Sequence, residues 1–360
     1  MPAAFGYGHP DVEPARSGGV TSAVPGAPRS HRKECDVTAL KIVFTPISTL
    51  VPMLTPDQNA EILAAAGKES VLVEARTPDR QRQEIVDADV LFGRVSPDVF
   101  ALARHLRYYH CLGAGVDSIL GQELVESDVI LASEKGEVGI HLAEHAFALL
   151  LGLTRGVHTA LRDPAFHLRE PIRKEQRELW EQTMGIVGFG GTGRAVARRA
   201  LGFGMRVVAV DVEDVPREPG VEAVWKTDRL HDLLAVSDVV VIALPLTKAT
   251  RHLFTRDLFR RMQRHAILIN VTRGEIVYGE DLMAALEEGL IWGAGLDVTD
   301  PEPLPPGHPL WRHPRVIVTP HTAGGSPRRA GRAIATFCEN LRRLADGRPL
   351  LALIDKRKGY

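Results

Sequence analysis

The chain has 360 residues, of which 44 are Lys or Arg and 45 are Asp or Glu, for a formal net charge of -1. That balance excludes an electrostatic nucleic-acid binder as the main role. A hydrophobic share of 44% and a charged share of 25% exclude wholesale disorder, and the length predicts two domains rather than one. Three cysteines, Cys35, Cys111 and Cys338, form no metal-binding spacing and no disulfide framework. A reducing cytoplasm is therefore the expected compartment. No apolar run reaches the ~20 residues of a membrane helix, no secretory leader is recognisable, and Asp11 and Glu13 disfavour a mitochondrial one.

Residues 1–38 read as a disordered extension, with five Gly and five Pro in the first 30 and no apolar period. From Leu40 the pattern changes. Lys41–Phe44 is a predicted strand. Thr55-Pro56 then opens an apolar-periodic helix closed by Gly67, with an N-cap, a proline at the first turn and a glycine past the end. Val71–Val73, Val90–Phe92 and Tyr108–Leu112 follow as strands with helical stretches between. A long apolar helix is predicted from Ile140 to Leu153. The alternation then resumes with strands at Met184–Val187, Val207–Val210, Val239–Leu244, Ala266–Ile269, Ala294–Val298 and Val316–Thr319, and a last helix spans 327–344. Alternating strands and helices predict parallel sheets covered on both faces. The fold class is α/β, with two doubly wound units. The second is inserted late in the first, and the last helix returns to the first.

Gly188, Gly190 and Gly193 form G-x-G-x-x-G between an apolar strand and a helix at Ala195–Leu201. Gly188 allows the tight turn, Gly190 lets backbone approach a pyrophosphate, and Gly193 lets helix and strand close. The helix N-terminus offers N–H groups to phosphate. Asp211 ends the next strand, 23 residues after Gly188. A carboxylate there accepts from ribose hydroxyls and repels a 2′-phosphate, so NAD is expected over NADP.

With these motifs in place, the sequence resembles the D-2-hydroxyacid dehydrogenase family, which includes phosphoglycerate dehydrogenases and glyoxylate/hydroxypyruvate reductases. The resemblance rests on Leu112–Asp117, Ala143-Glu144-His145, Gly185–Gly193, Phe203–Val207, Leu244–Thr247, Asn270–Gly274, Leu296-Asp297-Val298, Glu302-Pro303-Leu304 and Thr319-Pro320-His321. It covers roughly residues 40–350. It implies a flavodoxin-like substrate domain of residues 39–140 and 319–350 and an NAD-binding Rossmann domain of residues 141–318. It also implies hydride transfer between NAD and a small 2-keto or D-2-hydroxy acid.

The chemistry needs a cation to hold the carboxylate and polarise the ketone, and an acid to protonate the developing alkoxide. Arg273 suits the first task through its planar fork, and His321 the second through an imidazole that titrates near neutrality. The resemblance assigns Glu302, five residues after Asp297, as the partner that stabilises the imidazolium. It further implies that backbone N–H groups of Ala114 and Gly115 bind the substrate carboxylate. Asp297 and the Val271 carbonyl would hold the nicotinamide amide, and Gly191, Thr192, Pro245, Thr250, Thr272 and Gly324 would line the cofactor path. The chain departs from many relatives at Val277-Tyr278-Gly279 and at Thr299-Asp300, which bears on substrate preference.

Other features carry less. His141 and His145 share a helix face beside Glu144, but without H-E-x-x-H order or a third ligand; packing and hydrogen bonding between the domains are the expected roles, and no metal is expected. Arg328, Arg329 and Arg332 read as a solvated basic face. Arg94, after an apolar strand, could reach the cleft. Segment 154–182 reads as charged and irregular, and the resemblance suggests a homodimer contact near it. An NAD(H)-sensing corepressor-like protein is the alternative on the same scaffold. Formate oxidation is disfavoured by the Glu–His pair.

Overall fold

The computed structural model describes residues 39–47 and 51–360. The expected N-terminal extension and Cys35 lie outside the described residues. Among the described residues, twelve strands form two parallel sheets. The first contains β1 (Lys41–Phe44), β2 (Val71–Glu74), β3 (Val90–Gly93), β4 (Tyr108–Cys111) and β5 (Ile130–Ser133). The second contains β6 (Thr183–Val187), β7 (Arg206–Val210), β8 (Ala223–Trp225), β9 (Val239–Ile242), β10 (Ile267–Asn270), β11 (Gly293–Leu296) and β12 (Val316–Val318).

The five-stranded order β2-β1-β3-β4-β5 is the flavodoxin-like arrangement. The seven-stranded order β12-β11-β10-β9-β6-β7-β8 is the Rossmann arrangement with one strand added at the β12 edge. Two strands, β5 and β8, were not among those predicted. The central strands β3, β4, β6, β9 and β10 are buried along their whole length, which is why they read as apolar runs without alternation.

The helix Gly139–Thr154 leaves the first sheet and packs on the second, sharing a core with Ile186, Val241 and Ile269. The helix Arg329–Ala345 returns: Ala333, Ile334, Phe337 and Leu341 join Ile42, Phe44 and Phe92 in the core of the first sheet. The two sheets are thus linked by crossings at 134–138 and 319–328. Segment 154–182, read as irregular, holds helices Val157–Arg162 and Arg169–Glu175.

A small polar cluster sits inside the first core. His110 on β4 stands edge-on to Phe92 and Phe337. Its Nδ1 lies 2.7 Å from the Tyr108 hydroxyl, which also accepts from Asn340 Nδ2 at 2.9 Å, while its Nε2 is buried without a partner. Burial pushes the His110 pKa down to about 3. The unfolded chain therefore takes up a proton near pH 6.5 that the folded chain refuses. Stability is unaffected above that pH and falls as pH drops from 6.5 toward 3. At pH 4.5 the loss from this group is roughly 2–3 kcal/mol. Urea melts at pH 7.5 and 4.5 should show His110→Asn losing less stability than wild type by about that amount. Equal losses in the two proteins would reject His110 as the source.

Candidate active site

The carboxyl ends of strands from both sheets face one cleft of about 1140 Å³, where open α/β sheets place ligands. From the second sheet, β6 delivers the glycine turn. Gly188 has φ +96° and a Cβ on it would meet the Ala243 carbonyl oxygen at 2.7 Å, so only glycine closes the turn. At Gly190 a Cβ would project into open space, leaving bare backbone on the cleft. A Cβ on Gly193 would overlap the Gly188 carbonyl; this glycine serves helix–strand closure and does not line the cleft. The helix Gly191–Gly202 starts here, with Gly191 and Thr192 on the cleft. Bare backbone at Gly190 and a helix start aimed at the same space fit a dinucleotide pyrophosphate.

Asp211 lies on the cleft at the end of β7. Its Oδ2 accepts from Phe189 N at 2.6 Å and its Oδ1 from Glu213 N at 2.9 Å, which fixes the carboxylate at the mouth of the glycine turn. After β9, Thr250 Oγ1 donates to the Pro245 carbonyl at 2.7 Å and accepts from Thr247 N, so one threonine shapes the 245–250 wall.

After β10, buried Asn270 organises the next loop. Its Nδ2 donates to the Arg273 carbonyl at 2.8 Å, and its Oδ1 accepts from Thr272 N and Oγ1. Val271 and Thr272 line the cleft. Arg273 then reaches across to the first sheet, where Nε and Nη2 donate to Asp117 Oδ1 at 3.0 and 2.9 Å. Its guanidinium lies against Gly115, where any Cβ would overlap it. Ala114 and Gly115 face the cleft beside it. Arg94, after β3, donates through Nη2 to the Gly115 carbonyl at 2.8 Å and to Ser118 Oγ at 3.0 Å. Two guanidinium groups thus flank the 113–117 loop. The sequence marked both but gave Asp117 no partner; its signal was a carboxylate inside the quoted motif.

His321 follows β12 in a left-handed conformation, φ +53°. Its Nδ1–H donates to Glu302 Oε1 at 2.6 Å, which leaves Nε2 for the cleft that His321 lines. Glu302 sits behind the imidazole and accepts from Thr299 N through Oε2. Asp297 governs the turn that carries His321. Its Oδ1 accepts from Thr319 Oγ1 at 2.6 Å and Thr322 N at 2.9 Å, and its Oδ2 from Ala323 N at 2.8 Å. Burial works to raise the Asp297 pKa, but the hydrogen bonds from His145, Thr319, Ala323 and Thr322 prevail and hold it at about 2.

His145 Nε2 lies 2.8 Å from Thr319 Oγ1 and so braces the same turn from the long helix. His141 Nδ1 instead meets Arg332, and its pKa falls to about 4 through burial and then the charges of Arg329 and Arg332. The expected solvated face at Arg328, Arg329 and Arg332 is corrected here. Arg328 is exposed, but Arg329 is buried, with Nε donating to buried Glu134 at 2.8 Å and Nη1 to the Gly324 carbonyl at 2.8 Å. Gly324 and Arg329 line the cleft along with His321.

The fold and cleft define an α/β protein whose glycine turn and helix start suit a dinucleotide. Residues 147–323 match the family model for the D-isomer specific 2-hydroxyacid dehydrogenase NAD binding domain. The chain is 37% identical over 274 residues to a glyoxylate reductase of Korarchaeum cryptofilum, covering 72% of this chain and 80% of that protein. It is 34% identical over 275 residues to glyoxylate/hydroxypyruvate reductase A of Salmonella newport, covering 73% and 85%. A D-isomer specific 2-hydroxyacid dehydrogenase from Xanthobacter autotrophicus, solved with NADPH and MES, superposes with TM-score 0.74 at 30% identity, covering 90% of this chain and 100% of that one. The chain belongs to the D-2-hydroxyacid dehydrogenase family. Its relatives are named as reductases and dehydrogenases, which supports an enzyme and not the sensing alternative. No helix among the described residues is long and apolar enough to cross a membrane.

Proposed function

We propose that this chain interconverts a small 2-keto acid and its D-2-hydroxy acid, with NAD as the preferred coenzyme. The observation that carries the reading is the Glu302–His321 pair at 2.6 Å on the cleft that Arg273 also lines. Arg273, with the Ala114 and Gly115 N–H groups, anchors the substrate carboxylate. Asp117 occupies the guanidinium edge that a carboxylate would take, so substrate binding exchanges or shares that partner. Arg94 adds a second positive charge and favours an anionic substrate. A dinucleotide held along Gly188, Gly190, Gly191 and Thr192 would supply or take the hydride. In reduction, His321 Nε2 gives its proton to the ketone oxygen as the carbon becomes tetrahedral; in oxidation it takes the hydroxyl proton back. Glu302 accepts the Nδ1 hydrogen bond and so holds the ring in place.

Residues 39–140 with 319–350 serve as the substrate domain and 141–318 as the cofactor domain. A homodimer through segment 154–182 is part of this reading, supported by exposed Leu161, Phe166 and Trp180.

The preference for NAD rests on Asp211. Structural neighbours from Xanthobacter autotrophicus and Sinorhizobium meliloti are described with NADPH and NADP, so the test uses both coenzymes. Oxidation of NADH and NADPH would be followed with glyoxylate, hydroxypyruvate, pyruvate, phenylpyruvate and 3-phosphohydroxypyruvate. NADH should give the higher kcat/KM with at least one of them. Asp211→Ala should narrow the preference about tenfold or more, through loss of the ribose hydrogen bonds and of the repulsion. Higher kcat/KM with NADPH in the wild type would reject the coenzyme assignment, and no turnover of any keto acid would reject the substrate class.

A further inference from the structure

The cleft has a wall that the family match does not include. Residues 353–360 lie beyond the matched span of 147–323, yet Ile354, Gly359 and Tyr360 line the cleft together with Asp211 and Glu213. The segment is fastened to the first sheet. Leu353 makes an antiparallel bridge to Ala132, and Ile354 N donates to the Leu131 carbonyl at 2.9 Å. Lys356 Nζ donates to the carbonyls of Ser127 and Val129 at 2.5 and 2.9 Å.

A tight turn follows. Asp355 Oδ1 accepts from Arg357 N and Lys358 N at 2.9 and 3.1 Å, and its carbonyl accepts from Gly359 N at 2.8 Å. The turn projects Lys358 and Tyr360 onto the second sheet. Lys358 Nζ lies 2.5 Å and Tyr360 Oη 3.1 Å from Glu213 Oε1. Glu213 is two residues past Asp211, and its own N–H donates to Asp211 Oδ1. These partners hold the Glu213 carboxyl below its usual range. The Tyr360 ring is bracketed by the Lys135 and Lys358 ammonium groups at 5.7 and 6.0 Å from its centroid. A half-buried aromatic ring therefore stands beside the carboxylate that the proposed function gives to the ribose.

We infer that Tyr360, held by Glu213 and Lys358, is a cofactor-binding residue that forms the outer wall of the site for the adenosine half of the dinucleotide. A tyrosine ring offers a flat apolar face to a nucleoside at little conformational cost. Its hydroxyl is already committed to Glu213, so the ring is positioned before the ligand arrives. The tie joins the 127–133 region of the first sheet to the loop after β7, so a bound dinucleotide would be enclosed at the end of the cleft where Asp211 lies.

The inference rests on the dinucleotide reading of Asp211, and the two can be separated by titrating NADH fluorescence into wild type, Asp211→Ala, Tyr360→Ala, Tyr360→Phe and Lys358→Met. Tyr360→Ala should raise the NADH Kd about tenfold. Tyr360→Phe and Lys358→Met should raise it only about two- to fivefold, because the ring stays while one tie to Glu213 is lost. The melting temperature of Tyr360→Ala without NADH should stay near wild type. A Kd within about twofold of wild type for Tyr360→Ala, with Asp211→Ala weakened, would overturn the inference and leave the Asp211 reading standing. Weakening by Tyr360→Ala with Asp211→Ala unchanged would support Tyr360 and remove Asp211 from the ribose site.

Discussion

Replacing His321 by alanine should lower kcat by roughly 10²–10⁴-fold while NADH still binds. The size of the loss follows from the atoms left behind. Nδ1 is committed to Glu302 at 2.6 Å and the left-handed backbone at φ +53° is braced by His321 N donating to the Asp297 carbonyl at 2.8 Å. The imidazole is thus presented by a preset turn, and no other described residue places a histidine on this cleft. Without it the developing alkoxide must take a proton from water. Arg273 remains, so carboxylate binding persists and the substrate KM should move far less than kcat. Glu302→Gln should give an intermediate loss, since the ring keeps a hydrogen-bond partner but loses its counter-charge. Because the two side chains act as one unit, the double variant should be no slower than His321→Ala alone. Steady-state kinetics of the four proteins, with a fluorescence titration of NADH on each, reads this out. Wild-type kcat in His321→Ala would end the assignment.

The parts of this site visible in the sequence share a physical origin. Gly188 after Val187, Asp211 after Val210 and Asp297 after Leu296 each lie at the carboxyl end of a buried parallel strand, where an apolar run stops at a residue with a chemical reason to be there. Such runs need no partner to be recognised. The two unpredicted strands are short and lie at sheet edges. In β5, Ile130 is exposed and the strand is only Ile130–Ser133, at the edge of its sheet. In β8, the three residues Ala223–Trp225 are half-buried at the opposite kind of edge, beyond β7.

The contacts of 353–360 were hidden for a related reason. The segment is mostly polar, and its place is set by a bridge to Ala132, more than 200 positions earlier in the sequence. Asp117 and Arg273 each lie within a recognisable motif, yet a pairing across 156 positions is legible in neither. The run at Arg328–Arg332 shows the limit most directly. Arg328 and Arg329 are neighbours of one type, one exposed and one buried, and only the partner at Glu134 separates them.

That partnership sets the largest expected loss of stability. Arg329→Met should destabilise the protein by about 3–5 kcal/mol, because it strands the Glu134 carboxylate in the interior. The Glu134 side chain is 0% exposed and that of Arg329 9%. Glu134 Oε1 has no hydrogen-bond partner even with Arg329 present, so the arginine is its chief compensation. A change of this size should lower Tm by roughly 6–12 °C. The double variant Glu134→Met/Arg329→Met removes both charges, and most of the lost stability should return, since the pair's attraction largely offsets its own desolvation. Activity should not return with it. Arg329 Nη1 also donates to the Gly324 carbonyl, three residues past His321, and Glu134 lies on the crossing between the sheets. The pair therefore ties the turn bearing His321 to the point where the chain passes from one sheet to the other. In the double variant that tie is gone while the core is whole, so kcat should stay depressed at a near-normal Tm. Thermal melts and steady-state kinetics on the two variants separate the charge from the tether: full activity in the double variant would reduce the pair to a structural ion pair, and a melt as low as that of Arg329→Met alone would show that the stranded carboxylate was not the cause.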